Sequence, residues 1–148
     1  MISIKSSREI EIMKESCRLA ARTLDYITDK IEINMTTEDI NQLCHNFITE
    51  NDAYPSPLNY HGFPKSVCTS LNEVICHGIP SKKDKIKNGD ILNIDVTTYY
   101  KNFHGDTNRT FLVGDVDPKI SNLVKVTYEC MMAGISVCRP GARLGDVG

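Results

Sequence analysis

The stretch of sequence that decides the fold is residues 91–113, ILNIDVTTYYKNFHGDTNRTFLV. Residues 91–98 alternate between apolar and polar side chains, which is the pattern of a β-strand with one buried face. Residues 99–102 are typical of a hairpin connection, and residues 103–113 continue as a returning strand. The sequence therefore predicts an antiparallel hairpin in this part of the chain.

Two aspartates, Asp95 and Asp106, lie on the two predicted strands. If the hairpin turns about Tyr100-Lys101, opposed positions sum to 201, and the two carboxylates lie directly opposite each other with Cβ atoms about 4.5–5.5 Å apart. Like charges at that distance repel, and a shared proton or divalent cations offset the repulsion. Two bridged metals about 3.5–4 Å apart form a hydrolytic site. The spacing alone favours this site no more than a solvated sheet face with a different register.

Two amphipathic helices are predicted before this hairpin. The first begins at a capping box, Ser6-x-x-Glu9, and its apolar residues recur at steps of three or four. Those residues are Ile10, Met13, Cys17, Ala20, Leu24, Ile27 and Ile31. The second helix opens at Thr36 and Thr37 and ends near Asn51, ahead of two prolines. We expect the two helices to form a helical hairpin.

The rest of the chain consists of loops and one further helix. Residues 54–89 are rich in Pro, Gly, Asn and Ser, with β-prone pieces only at 66–71 and 74–76. A third helix is predicted from Asp117-Pro118, an N-cap followed by proline, to Arg139-Pro140-Gly141. Helices that flank an antiparallel hairpin predict an α+β fold. Because no repeat or linker divides the sequence, we expect a single domain, or part of one.

The composition is that of an ordinary globular domain and excludes several classes of function. Seventeen Lys and Arg against nineteen Asp and Glu give a net charge of -2, so no global basic field attracts nucleic acid. Six cysteines occur without a Cys-x-x-Cys pair, which argues against a zinc knuckle or a redox motif. Residues 1–9 hold no apolar leader, and no apolar stretch is long enough to span a bilayer. We therefore expect a cytoplasmic protein with reduced cysteines.

Four motifs follow one another along the chain: residues 60–68 (YHGFPKSVC), 72–80 (NEVICHGIP), 93–97 (NIDVT) and 104–107 (HGDT). In this order and spacing they resemble type I methionine aminopeptidases, and the similarity extends over nearly the whole chain. The resemblance implies the pita-bread fold of creatinase and the aminopeptidases, in which two pseudo-symmetric halves surround a dinuclear metal centre. This chain resembles the N-terminal half. The implied activity is removal of the initiator methionine from nascent proteins.

The resemblance also implies two divalent metal ions. Asp95 and Asp106 match the first two of the family's five metal ligands, and Asp106 matches the ligand that bridges both metals. The other three ligands, one His and two Glu, belong to the second half, for which this sequence holds no counterpart. We therefore expect the 148-residue chain to be inactive alone. Sites of this kind accept Co, Mn, Fe and Zn, so the sequence does not identify the metal.

Four residues match the family's substrate site. His77 matches the histidine that contacts the substrate and stabilises the transition state at the scissile amide; without the resemblance, a structural histidine in a Gly/Pro loop is the simpler interpretation. Tyr60, Phe63 and Cys68 fall where the family lines the methionine side-chain pocket, and soft, apolar surroundings suit a thioether. On their own, these three would be interpreted as core residues.

The sequence departs from the family pattern at the rim of this pocket. Pro57 and Phe63 stand where some relatives carry Cys and Tyr, so the rim differs, although methionine preference does not require the lost hydroxyl. His61 lies next to the pocket and receives no role. The main-chain oxygens of Asn72 and Val74 match a monovalent-cation site seen in some relatives.

The resemblance implies that the partners are nascent polypeptide N-termini near the ribosome, with no sequence-specific nucleic-acid binding and no membrane association. Two alternatives remain. A proline-specific aminopeptidase or dipeptidase shares the fold and metal centre, but such enzymes usually carry an additional N-terminal domain and lack the context of residues 76–80. Non-catalytic pita-bread binding modules have lost their metal ligands, whereas Asp95, Asp106 and His77 are present here.

Overall fold

The computed structural model describes residues 3–148, so Met1 and Ile2 of the N-terminal stretch lie outside the described residues. The chain divides into two compact units, the first running to Asp115 and the second spanning Val116–Gly148. The prediction of a single partial domain stays a prediction. In chain order the elements are α1 (Ser7–Thr28), α2 (Thr37–Glu50), β1 (Tyr54–Pro55), a 3-10 turn (Tyr60–Gly62), β2 (Cys68–Leu71), β3 (Ile91–Tyr100), β4 (Phe103–Leu112), α3 (Pro118–Ser136) and a second 3-10 turn (Leu144–Asp146).

Helix α1 begins at its predicted capping box. The Ser6 amide donates to Glu9 Oε2 at 2.7 Å, and the Glu9 amide donates to Ser6 Oγ at 3.4 Å. The buried face is rotated relative to the predicted stripe, since Ile10 is 43% exposed and Cys17 is also exposed, whereas Ser16 is buried. A small polar residue is tolerated there because its hydroxyl hydrogen-bonds to groups on β3 and β4.

Helix α2 has the predicted boundaries. Thr36 Oγ1 accepts from the Asp39 amide at 3.2 Å, and Asn51 is the C-terminal cap. The rings of Tyr26 in α1 and Phe47 in α2 stack with centroids 4.5 Å apart, which confirms the predicted contact between the helices. Buried residues of both helices and of the sheet form one core. Its members are Ala20, Leu24, Ile27, Ile40, Cys44, Ile48, Val67, Ile86, Leu92, Ile94, Val96 and Val113.

Strand β3 is the centre of a four-stranded antiparallel sheet, with β4 paired along its whole length. The short strands β1 and β2 pair with the C-terminal end and the N-terminal half of β3, respectively. The apolar positions of β3 are buried in alternation, as predicted. The predicted strand piece at 74–76 is wrong: the chain turns after β2, and the Val74 amide donates to the Leu71 carbonyl at 2.9 Å. The two-residue strand β1, in a proline-rich stretch, was not predicted.

The predicted hairpin register is wrong by two positions. The turn residues are Lys101 and Asn102, both with positive φ (47° and 70°), so opposed positions sum to 203 and Asp95 lies opposite Asn108 instead of Asp106. Two residues with positive φ form the tight turn whose twist matches that of antiparallel strands. Because side chains alternate with a period of two, this shift leaves Asp95 and Asp106 on the same face.

The second unit contains α3. Asp117 Oδ1 accepts from the Lys119 amide at 2.7 Å, and Pro118 is the first helical residue, both as predicted. The helix ends at Ser136, before the predicted stop. It has no buried residues, and much of its apolar stripe is exposed. The exposed large apolar residues are Ile120, Leu123, Val126, Tyr128, Met131, Met132 and Ile135. Over residues 3–148, no helix combines the length and hydropathy that a membrane span requires.

Candidate active site and metal centre

A cleft of about 550 Å³ lies against the polar face of β3 and β4. All six residues predicted from the sequence line it: Tyr60, Phe63, Cys68, His77, Asp95 and Asp106. Four other residues also line it: Ser56, Pro57, Thr97 and His104. The fold therefore brings together side chains from two loops, from β2 and from both strands of the hairpin.

Asp95 and Asp106 are diagonal neighbours on the hairpin, since Asp95 pairs with Asn108 and Asp106 with Thr97. Their carboxylates interact nonetheless. Burial raises the pKa of Asp95, and the negative charge of the neighbouring Asp106 carboxylate raises it further. The nearby His77 opposes this rise in pKa. A carboxylate in such surroundings favours a bound proton or a bound cation.

The Asp95 carboxylate has one buried oxygen, Oδ1, that accepts no hydrogen bond. An unsatisfied buried acceptor costs about 1–3 kcal/mol, and carboxylate oxygens are ligands that divalent metals accept. The two aspartates therefore fit a metal centre. Across residues 3–148, no group of three or more His, Cys, Asp or Glu side chains is arranged to hold a metal ion. The described residues thus offer a pair of carboxylates and not a complete ligand set.

His77 has a strained backbone. Its φ of 54° lies in the left-handed region, which costs a non-glycine residue on the order of 1–3 kcal/mol. The following residue anchors the bend, because the Thr69 amide donates to the Gly78 carbonyl at 2.9 Å and the Gly78 amide donates to Ser70 Oγ at 3.2 Å. A Cβ on Gly78 would overlap the Thr69 carbonyl, so only glycine fits. Contact with β2 thus holds the imidazole in the cleft.

Cys68, Phe63 and Tyr60 provide the softer, less polar wall of the cleft. Cys68 pairs with Asp95 across β2 and β3 and is 7% exposed. Burial, together with the charge of Asp95, raises the pKa of its thiol to about 11, so the thiol is neutral at physiological pH. Tyr60 is 68% exposed and forms the rim. His61 packs edge-on against Tyr60, with ring centroids 4.4 Å apart, and is not among the described residues that line the cleft.

His104 and Ser56 line the cleft without having been predicted. His104 Nδ1 and Ser56 Oγ form a hydrogen bond of 2.9 Å, and the His104 ring lies against Tyr99, with centroids 4.8 Å apart. The Ser56 amide donates to the Thr97 carbonyl at 2.9 Å. The alternation of β4 could have found His104, because it shares a face with Asp106. Ser56 has no such signal, since its position depends on the pairing of β1.

A polar seam attaches the hairpin to α1. Ser16 Oγ lies 3.1 Å from Thr98 Oγ1 and donates to the Phe103 carbonyl at 3.1 Å, while Thr98 Oγ1 donates to the Ser16 carbonyl at 2.9 Å. Helix and strand approach so closely that a Cβ on Gly105 would overlap the Ser16 backbone. The glycine between His104 and Asp106 is therefore explained by packing on the face opposite the cleft.

The predicted monovalent-cation site falls in the turn after β2. Asn72 has a φ of 49°, its side-chain amide donates to Asp90 Oδ1 at 3.0 Å, and its Oδ1 accepts from the Ile91 amide at 3.1 Å. These bonds fix the turn that presents the main-chain oxygens of Asn72 and Val74. Cation binding there stays a prediction.

Comparison with known proteins gives a family and near relatives. Residues 11–148 match the model of metallopeptidase family M24. The chain is 55% identical over 147 residues to methionine aminopeptidase of Rickettsia prowazekii, covering 99% of this chain and 56% of that protein. The crystal structure of methionine aminopeptidase from R. prowazekii superposes with a TM-score of 0.97 at 54% identity, covering 99% of this chain and 59% of that one. The chain thus spans about half the length of these relatives.

A more distant likeness concerns the fold alone. The prolidase from Pyrococcus horikoshii OT3 superposes with a TM-score of 0.82 at 20% identity, covering 97% of this chain and 40% of that one. Both superpositions confirm the predicted α+β pita-bread fold, and the similarity to the R. prowazekii protein confirms the resemblance to methionine aminopeptidases. A family match over most of the sequence and a cleft that unites two carboxylates with a histidine lead to one conclusion: the chain belongs to metallopeptidase family M24.

Proposed function

We propose that this chain contributes a methionine-binding pocket and two metal ligands to a methionine aminopeptidase, which removes the initiator methionine from nascent proteins. The observation that carries the proposal is the buried, unpartnered Oδ1 of Asp95 in a cleft that also contains Asp106 and His77. The 55% identity to a methionine aminopeptidase supports the same substrate class. The proline-specific alternative has only the fold in its favour, at 20% identity.

Asp95 and Asp106 would hold two divalent cations, with Co, Mn, Fe and Zn as the candidates. When bound, such a pair supplies a hydrolytic nucleophile at neutral pH and stabilises negative charge on the scissile carbonyl. The two carboxylates match this role because they lie on one face of a regular hairpin, which fixes their separation. The seam between α1 and β3 and β4 keeps that hairpin in place.

The other cleft residues act on the peptide substrate. Phe63, Tyr60 and Cys68 accept the methionine side chain, and the neutral Cys68 thiol suits a thioether because it adds no charge to the pocket. His77, held by Gly78, donates a hydrogen bond to the charge that develops at the scissile amide. His104 lines the same cleft, and its ring is fixed by the hydrogen bond to Ser56.

The proposal includes the cellular setting. The substrates are nascent polypeptide N-termini, met in the cytoplasm near the ribosome. No sequence-specific contact with nucleic acid and no membrane association is proposed, in keeping with a net charge of -2. A monovalent cation at Asn72 and Val74 would support the turn after β2.

The deciding experiment measures which peptide the protein hydrolyses. The longest natural polypeptide that carries these residues is incubated with divalent metal and two peptides, one beginning Met-Gly and one beginning with a residue followed by Pro. We expect release of methionine alone, and loss of turnover on chelation. Selective cleavage ahead of proline would show that the proline-specific alternative is right, and neither cleavage nor metal binding would favour a binding module.

The 148-residue chain alone provides a second test. Because residues 3–148 offer no group of three metal ligands, we expect no measurable methionine release from this chain even with added Co or Mn. Light scattering in the same samples reports whether the chain is monodisperse. Turnover by a monodisperse monomer would show that the ligand set proposed here is wrong.

A further inference from the structure

One edge of α2 carries four polar side chains that lie outside the cleft. Thr37, Glu38, Asn41 and His45 recur over successive turns on one side of the helix, and we refer to them as the polar edge of α2. None of them is among the residues that line the cleft. Thr37 and Asn41 are nevertheless buried, at 1% and 6% exposure. Buried polar side chains of this kind are normally explained by their hydrogen-bond partners.

The first partner is the segment between Phe63 and Cys68. His45 Nδ1 and Ser66 Oγ form a hydrogen bond of 2.8 Å, and the Ser66 amide donates to Asn41 Oδ1 at 2.9 Å. Ser66 is 2% exposed, so water does not replace these partners. The polar edge therefore satisfies both the backbone and the hydroxyl of the residue that stands two positions before Cys68.

An ion pair reinforces this attachment one residue earlier. Lys65 Nζ lies 2.6 Å from Glu38 Oε2, although the two groups lack the alignment of a hydrogen bond. Both side chains are largely shielded from solvent, which reduces the screening that weakens exposed pairs. Lys65 and Ser66 are thus both fixed to α2.

The second partner is the end of the loop that carries His77. The Ser81 amide donates to Thr37 Oγ1 at 2.9 Å, and Thr37 Oγ1 lies 3.2 Å from the Ser81 carbonyl, to which it donates. This loop is pinned to β2 at its other side, through Gly78 and Thr69. One helix edge therefore holds the pocket segment and the His77 loop at the same time.

We infer that the polar edge of α2 is a positioning element that sets the pocket wall, Phe63 and Cys68, against His77. Asn41 and His45 are the positioning residues for the pocket wall, and Thr37 is the one for the His77 loop. That the polar edge of α2 fixes the segment carrying Cys68 follows from the contacts alone. The consequence for methionine recognition rests on the proposed function. Neither Asn41 nor His45 touches the space where substrate binds.

The effect of the polar edge on Cys68 is measured as the rate of Cys68 alkylation in the 148-residue chain. Exposed cysteines are first blocked, and a second reagent then labels Cys68 slowly, with peptide mapping to locate the label. Cys44, which is fully buried in the core one residue before His45, is the internal reference for global opening. In His45→Phe, which removes the partner of Ser66, we expect Cys68 to react about tenfold faster relative to Cys44.

A conservative variant is the matched control. His45→Asn retains a polar atom near the position of Nδ1, so we expect its Cys68 labelling rate to stay within about twofold of the unmodified chain. Unchanged Cys68 labelling in His45→Phe would overturn the inference. A parallel rise at Cys44 and Cys68 would also overturn it, because it would show that His45 only stabilises the whole fold.

A kinetic measurement on the longest natural polypeptide then tests recognition. We expect His45→Phe to raise KM for a Met-Gly peptide about tenfold while kcat stays within about twofold, and His45→Asn to restore KM. Faster Cys68 labelling with an unchanged KM would refute the role in recognition. Absence of turnover in the unmodified protein would instead refute the proposed function, and the labelling result would still decide whether the polar edge holds the pocket segment.

Discussion

The hairpin that carries the two aspartates and the loop that carries His77 reach the same cleft by different means. The strands β3 and β4 pair over ten positions, so the places of Asp95 and Asp106 follow from a continuous ladder. His77 instead has a positive φ and depends on a few individual contacts of its neighbour Gly78 and of Ser81. The two aspartates, the proposed metal ligands, are thus fixed by regular structure, and His77 is fixed by local contacts.

The difference has a physical basis. A ladder distributes its restraint over many backbone hydrogen bonds, so loss of one side chain leaves the backbone in place. A strained loop relaxes when one anchor is lost, because it has no repeating interactions to hold it. Substitutions in the hairpin should therefore change chemistry or global stability, whereas substitutions in the loop should change the placement of His77.

The largest effect is expected at the hairpin. Asp106→Asn removes a charge from the carboxylate pair and keeps its shape, so metal binding should fall and turnover should drop by about 10³-fold in the longest natural polypeptide. Metal content and methionine release are measured in the same preparation, with the thermal midpoint as a control for folding. Normal metal loading together with full activity would remove Asp106 from the ligand set.

A smaller effect on rate is expected in the loop. His77→Ala should lower kcat by roughly 10² while metal content stays normal, because in the proposed function the imidazole contacts the substrate and does not bind the metals. The two measurements separate His77 from Asp106, for which both quantities should fall. An unchanged kcat with a collapsed thermal midpoint would mean that His77 is a structural residue.

Two glycines sharpen the contrast between the regions. Alanine at Gly105 would overlap the Ser16 backbone and should destabilise the fold by about 1–3 kcal/mol. Alanine at Gly78 would overlap the Thr69 carbonyl at the edge of a loop, so we expect a smaller loss of stability and a larger loss of kcat. Urea unfolding and steady-state kinetics report the two quantities. Equal losses of stability would show that the loop is as integral to the fold as the hairpin.

The same contrast explains what could be predicted from the sequence. Alternation along residues 91–113 predicted the hairpin and both of its faces, but the turn was placed one residue too early, which shifted the register by two. Turn position depends on the φ values of Lys101 and Asn102, about which alternation carries no information. The aspartates stayed on one face because the error was even.

The rest of the site had weaker signals. His77 and the pocket residues were predicted through motifs, since no periodic pattern marks a loop. The buried face of α1 was misjudged at Ser16, because its burial depends on partners in β3 and β4 that are distant in sequence. The polar edge of α2 was hidden for the same reason: Asn41 and His45 have ordinary positions for surface residues until the segment around Ser66 is placed against them.

The smallest expected effect isolates backbone strain at His77. His77→Ala and His77→Gly both lose the imidazole, but only glycine adopts a φ of 54° without steric cost. The glycine variant should therefore be more stable than the alanine variant, by about 1 kcal/mol after allowance for the greater entropy of unfolded glycine. Urea unfolding of the 148-residue chain measures this difference directly.

Strand β4 provides a control position at which the expected difference in stability has the opposite sign. At Asn108, in this regular strand, the glycine variant should be less stable than the alanine variant by about 0.5–1 kcal/mol. If alanine were the more stable residue at both positions, the backbone of His77 would not be strained. The contacts of Gly78 and Ser81 would then not be needed to hold a strained conformation.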